Sequence, residues 1–331
     1  MRTLQLNPYE GVAWDAVEAH RAQLHAHTSH PPTEGHSGTD PPTTVIDDYA
    51  EAGYSVLALT GHEYATDGTT WPWSDWERSP DQIGMMAIQA AELGGSGDGL
   101  DRDLLSYFSQ LADTAGMTVS DALTAIGERD GLAVFPHPGR YPEDAAWYVD
   151  HFRTHPHLLG VEVVNAADRY PTDRDVWDAL QGLLGNDRPV WGFANDDYHG
   201  RGAGYSFDRS RNVLFLEDLS AAAVRQALVD GRFVYQHIVE GDQSGRDGSA
   251  REAALEPPVI EAIEHDPDRG ELHVQARYWT EIQWASAGEI VATGPRLHYR
   301  DVDGIGEYVR ARLVAESGSE TGTQPFLLGQ T

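Results

Sequence analysis

The feature that most constrains this chain is a repeated alternation of amphipathic and short apolar segments. Residues 43–52 place Val45, Tyr49 and Ala52 on one helix face, with Thr43 or Thr44 as cap and Gly53 as stop. "YSVLALT", residues 54–60, is an apolar run of the kind a buried parallel strand shows. The rhythm returns in "DALTAIGERDG" (helix), "LAVFPHPG" and "HLLGVEVVNA" (strands), "DVWDALQGLLGN" (helix) and "PVWGFANDDYHG" (strand). "RAQL", just before residue 25, reads as the first strand. Such alternation over about 200 residues predicts an α/β fold with a parallel sheet.

In parallel α/β folds the C-terminal strand ends line one mouth, and sites lie there. Here those ends carry His25 and His27, His62, His137, Asn165, and Asp196, Asp197 and His199. His25 and His27 are two apart, so on an extended strand both imidazoles face one space. The same spacing favours Asp197 over Asp196 as the companion of His199. Imidazole and carboxylate in a chain without cysteine suit zinc, manganese or iron. A solvated histidine-rich loop does not predict this recurrence, so a metal site is expected.

Beyond residue 240, "EGDQSGRDGSAREAALEPP" has linker composition. After it, "PVIEAIEH", "ELHVQARYW", "EIQWASAG" and "EYVRARLVAE" alternate like strands of a small β-sandwich. The expected division is 1–240, a linker or loop at 241–256, and a β-sandwich-like part at 257–331. His265, His273 and His298 are unclustered and read as surface or packing residues.

The net charge of −30 and the use of arginine for all 23 basic residues argue against nucleic-acid partners. They match the composition of proteins from salt-loving archaea. No apolar run reaches the roughly 18 residues of a membrane span, and "MRTLQLNPYEGVAW" lacks the regions of a signal peptide. A cytoplasmic protein without membrane or nucleic-acid partners is expected.

The ordered motifs resemble the PHP (polymerase and histidinol phosphatase) family. "HAHT" at 25–28 matches its HxHT block, and Glu34 in the following loop matches the next acid, with His36 and Asp40 as rivals. The usual "TDH" reads Thr60-Gly61-His62, with glycine replacing the aspartate. Glu92 matches the bridging glutamate, and His137-Pro138 and Asp197-Tyr198-His199 are intact. The histidine expected after Glu92 is missing. Asp103 aligns there, with Asp101 as the neighbouring alternative. The resemblance spans residues 22–205. "NPYEGVAW", "TTWPW", "HPGRY" and "YVRARL" look like the CehA/McbA-type branch.

The resemblance implies a distorted (β/α)7 barrel followed by a small β-sandwich-like domain. It implies two or three divalent ions (zinc, manganese or iron) on His25, His27, Glu34, His62, Glu92, Asp103, His137, Asp197 and His199. The glycines of "GSGDGLDRD" predict a flexible loop that leaves Asp103 out of the site. Two ions are then expected, on His25/His27/Glu92/Asp197 and around Glu34/His62/His199, with a weaker third near His137. The implied reaction is hydrolysis of a small phosphate ester by a water acidified by the ions, with His199, His62 and Arg140 as catalytic candidates. Hydrolysis of a carboxyl or carbamate ester, or a degenerate barrel that binds without turnover, are the rival readings. Trp71, Trp73 and Trp76 read as a hydrophobic cluster under a loop.

Overall fold

The computed structural model describes residues 2–29, 38–62, 78–94, 100–111, 113–141, 144–201, 207–239 and 256–330. Its strands are β1 (Arg2–Leu6), β2 (Glu18–Gln23), β3 (Tyr54–Ala58), β4 (Met86–Ile88), β5 (Ala90–Leu93), β6 (Leu104–Tyr107), β7 (Leu132–Phe135), β8 (Leu158–Asn165), β9 (Trp191–Asn195), β10 (Ser210–Leu216) and β11 (Phe233–His237). They continue with β12 (Val259–Asp266), β13 (Glu271–Arg277), β14 (Glu281–Ser286), β15 (Glu289–Thr293), β16 (Arg296–His298), β17 (Tyr308–Val314), β18 (Glu320–Gly322) and β19 (Phe326–Gln330). The α-helices are α1 (Pro42–Glu51), α2 (Val119–Glu128), α3 (Ala145–Thr154), α4 (Asp173–Leu184) and α5 (Ala221–Asp230).

This is a mixed α/β protein with many strands and few helices. Helix starts follow capping chemistry. Thr118 and Asp121 form a reciprocal capping box at α2, and Asp144 accepts the Ala146 N–H at α3. At α1 the expected threonine cap is absent. Pro41 is the N-cap and Pro42 opens the helix, where its missing N–H costs nothing.

The described strands form three sheets. β2, β3 and β4 pair in parallel, as do β7, β8 and β9. The expected all-parallel pattern fails at β5–β6–β7, which pair antiparallel. The chain crosses from one sheet to the next at Gln89, between β4 and β5.

No closed barrel forms among the described residues. β9 packs beside β10 and β11 without a ladder to them. Side chains stitch that gap instead. Asn212 on β10 accepts from Ala194 N at 3.1 Å and donates to Ala194 O at 2.9 Å. It also donates to Asn195 Oδ1 at 3.0 Å, and that oxygen accepts from Leu24 N at 3.1 Å.

Two apolar cores flank the central strands. One joins Leu123, Ile126, Phe152, Val161 and Trp177, the other Val56, Ile88, Val134, Phe193 and Leu228. Each such fully buried side chain contributes roughly 1.5–3 kcal/mol. A third core, around Trp284 and Tyr9, gathers β12, β13, β14, β17 and β19. β1 pairs with β19, so residues at the two ends of the chain share a ladder. Residues 240–255, most of the expected linker, lie outside the described residues.

Candidate metal centre

The strand ends deliver their side chains to one buried cluster. His25 and His27 follow β2, Glu92 lies in β5, and Asp197 follows β9. One ligand atom from each lies within 4.8 Å of the others, and all four residues are buried. Two more groups meet the same limit: His27 with His62 and His199, and Glu92 with Asp103 and His137. His27 and Glu92 are each shared by two groups. Glu92 Oε2 lies 3.3 Å from His25 Nε2, 3.2 Å from His27 Nε2 and 3.3 Å from His62 Nε2. Its Oε1 lies 3.2 Å from His137 Nε2. Asp197 Oδ1 is 3.1 Å from His25 Nε2 and 3.2 Å from His27 Nε2.

These contacts are short, yet His25 Nε2, His27 Nε2 and Asp197 Oδ1 make no hydrogen bond. These three atoms lie together in one buried cluster. Buried polar atoms without a partner are costly. A divalent cation satisfies all of them at once, so the donor set fits a metal ion.

Backbone geometry aims two of the donors. His137 (φ +32°) and Asp197 (φ +48°) both take left-handed conformations just after β7 and β9. Such conformations are uncommon away from glycine and concentrate at functional sites.

The electrostatics also call for positive charge. Burial opposes ionisation of Glu92 and Asp197, but the facing imidazoles hold both well below the usual carboxylate range. Burial pulls His25 down, yet Asp197, Glu162 and Glu92 hold it well above its ordinary value. Burial pushes His62 down to about 3. His199 falls to about 4, through burial and then the nearby His27. Both shifts favour the neutral imidazole, the form that binds a metal ion.

The expected exclusion of Asp103 is corrected. Asp103 is buried beside β6, and its Oδ2 sits 3.8 Å from His137 Nε2. Gly94 (φ +110°) lets the chain pass, since a Cβ there would meet Arg102 O at 2.9 Å and Asp103 Oδ1 at 3.0 Å. Asp101, the alternative, is largely exposed. Asp103 Oδ2 accepts from Tyr141 OH at 2.6 Å and from Arg140 at 3.0 Å. Arg140 is half-exposed at this edge of the cluster.

Glu34 and His36 lie outside the described residues, as do Trp71, Trp73 and Trp76. Among the described residues, His62 and His199 group with His27. Asp40 accepts from Tyr198 OH and Arg201 N. Asp196 turns away and accepts from the N–H groups of Asp208, Arg209 and Ser210 and from Tyr49 OH. Asn165 donates to Glu162. The sequence reading did not single out Glu162, whose signal was a lone charge inside the apolar run "LLGVEVVN".

No family model and no curated protein sequence matches the chain. Solved structures do. One is a two-domain protein from Bacteroides vulgatus containing a predicted PHP-like metal-dependent phosphoesterase. It is 15% identical, covers 98% of this chain and 90% of its own, and has a TM-score of 0.53. The fold is PHP-like.

Further neighbours of this PHP-like chain match at lower scores. An amidohydrolase from Chromobacterium violaceum, solved with sulfate and no metal, is 15% identical over 64% of this chain and 96% of its own (TM-score 0.43). A lesion-specific endonuclease from Pyrococcus furiosus is 13% identical over 64% and 56% (TM-score 0.44). No helix among the described residues is long and apolar enough to cross a membrane.

Proposed function

We propose that this protein is a metal-dependent hydrolase of small phosphate esters. The observation that carries this reading is the convergence of His25, His27, Glu92 and Asp197, whose inward donor atoms include three without a hydrogen bond. Around it, His62 and His199 extend the cluster on one side, and His137 and Asp103 on the other. Bound divalent ions supply Lewis acidity, which makes hydroxide available near neutral pH and offsets charge on phosphoryl oxygens. Glu92 faces both sides of the cluster and would serve as a donor in either group. Arg140, tethered on one side by Asp103 and open on the other, is placed to pair with an anionic substrate group.

The likeness to a two-domain protein containing a PHP-like unit supports a PHP-like unit followed by a C-terminal β part. The CehA/McbA-type branch is part of this proposal, as is a cytoplasmic location. An acidic surface without lysine suits a small substrate better than nucleic acid.

The test is metal content after purification in high salt, followed by assays on an aryl phosphate and an aryl carboxylate ester. We expect bound divalent metal and phosphate-ester hydrolysis, both lost on chelation. His27→Ala should lose metal and nearly all activity while its circular dichroism is retained. Full activity in a verified metal-free sample would overturn the reading, and carboxylate-ester activity alone would move the substrate class.

A further inference from the structure

Glu162 is fully buried in β8, flanked in the strand by Val161 and Val163. An ionised carboxylate there is expensive unless every lone pair is engaged. Here both oxygens are engaged twice. Oε1 accepts from His25 Nδ1 at 2.9 Å and from Asn195 Nδ2 at 2.8 Å. Oε2 accepts from the His137 backbone N–H at 3.0 Å and from Asn165 Nδ2 at 2.8 Å. Three of these partners are N–H donors and His25 completes the set as its Nδ1–H tautomer, so an amide in place of this side chain does not satisfy them equally.

Each bond acts on a different part of the cluster. With an ion bound, the bond to His25 would keep the ring proton on Nδ1 and leave Nε2 as the donor atom facing Glu92 and Asp197. The bond to His137 N lies in the left-handed turn that swings this imidazole towards Glu92. The bond to Asn195 continues through Asn195 Oδ1 to Leu24 N, the residue before His25. Glu162 thus belongs to none of the candidate ligand groups, yet it reaches the donors on both sides of Glu92.

We propose that Glu162 is the positioning residue of the centre, fixing the ring tautomer of His25 and the backbone turn of His137 with one carboxylate. The proposal rests on the metal-centre reading above.

The experiment compares wild type with Glu162→Gln in the full-length protein. An isosteric amide must point its N–H groups at donors on one of its two sides. Zinc affinity is measured by competition with a chelator. His137 amide exchange is followed by NMR. In cobalt-substituted protein the exchangeable ring N–H of His25 is a direct marker of its Nδ1–H tautomer. We expect Glu162→Gln to keep its far-UV spectrum and bind zinc roughly 10–100-fold more weakly. We also expect faster exchange at the His137 amide or at the His25 ring proton. Unchanged affinity with both protons still protected would overturn the proposal. If the variant does not fold, Asn165→Ala removes one donor to the carboxylate and should speed His137 exchange, with unchanged exchange counting against us. A wild type that takes up no metal would sink the metal reading alone. His137 amide exchange, which needs no ion, would then still decide the role of Glu162.

Discussion

Asp103 and Asp197 are both buried carboxylates at the cluster, but their oxygens are differently engaged. Asp197 Oδ1 has no hydrogen bond, whereas Asp103 Oδ2 already accepts two, from Tyr141 and Arg140. Burial and then Glu92 push the Asp103 carboxyl above its ordinary value. A cation at the Glu92/Asp103/His137 group must compete with both donors. We therefore expect that group to fill last, and Tyr141→Phe to raise its occupancy. Anomalous scattering at the metal edge reads this, and three fully occupied peaks in wild-type crystals would contradict it. A second residue-scale prediction concerns Asp173. Burial lifts its carboxyl to about 8, with Glu162 adding to the rise against the Gly139 N–H bond. Between about pH 4, where the unfolded side chain ionises, and pH 8, the native state binds the extra proton. Stability from this group therefore falls as pH rises through that window. Asp173→Asn should gain thermal midpoint relative to wild type from pH 4 to 8 and hold the gain above. A difference that stays constant across that range would refute the assignment.

At the scale of elements, the C-terminal strands are fastened to the helices and strands around the site. Glu320 in β18 is buried and takes Arg174 of α4 at 2.7 Å on one oxygen and Arg312 of β17 at 2.5 Å on the other. Asp178 of α4 takes Arg310 of β17 at 2.6 Å. Gln324 mimics a strand partner for Gly192 of β9, accepting its N–H at 2.7 Å and donating to its carbonyl at 2.9 Å. Arg174 follows Asp173, which holds the Gly139 N–H beside the His137 turn. Glu320→Ala leaves two guanidinium groups without their shared carboxylate and should destabilise by about 3–5 kcal/mol in denaturant unfolding. Arg269→Ala, which removes an exposed pair with Asp266, should change stability by less than about 1 kcal/mol. Equal effects from the two variants would show that the buried network contributes no more than a surface pair.

The whole molecule carries a formal charge of −30. Its 53 acidic residues face only 23 basic ones, so most carboxylates repel one another across the surface. That repulsion opposes the compact state until salt screens it, and the screening length falls from about 30 Å at 0.01 M to about 3 Å at 1 M. The thermal midpoint should rise steeply from millimolar to molar potassium chloride. A midpoint that stays level would remove the reading of this composition as an adaptation to salt. The metal measurements belong in high salt for the same reason.

Local periodicity made much of the site legible in the sequence. The two-residue spacing of His25 and His27 is what extended backbone requires, whereas Asp197, two before His199, sits in a left-handed turn that the spacing did not announce. Apolar runs that stop at polar residues mark strand ends wherever the chain goes next. α2, α4, β7, β8 and β9 form at those segments. Pairing was not legible, because register and direction depend on what packs alongside. The antiparallel β5–β6–β7 arrangement, the ladder between β1 and β19 and the stitched gap between β9 and β10 join residues far apart in the chain. The same holds for Asp103, which a glycine-rich approach suggested was loose. Tyr141, Arg140 and the close passage at Gly94 draw it inward. Glu162 is the clearest case. In sequence it is a charge out of place in a strand, and only the assembly of β2, β7, β8 and β9 around it supplies the four donors that let a carboxylate stay buried.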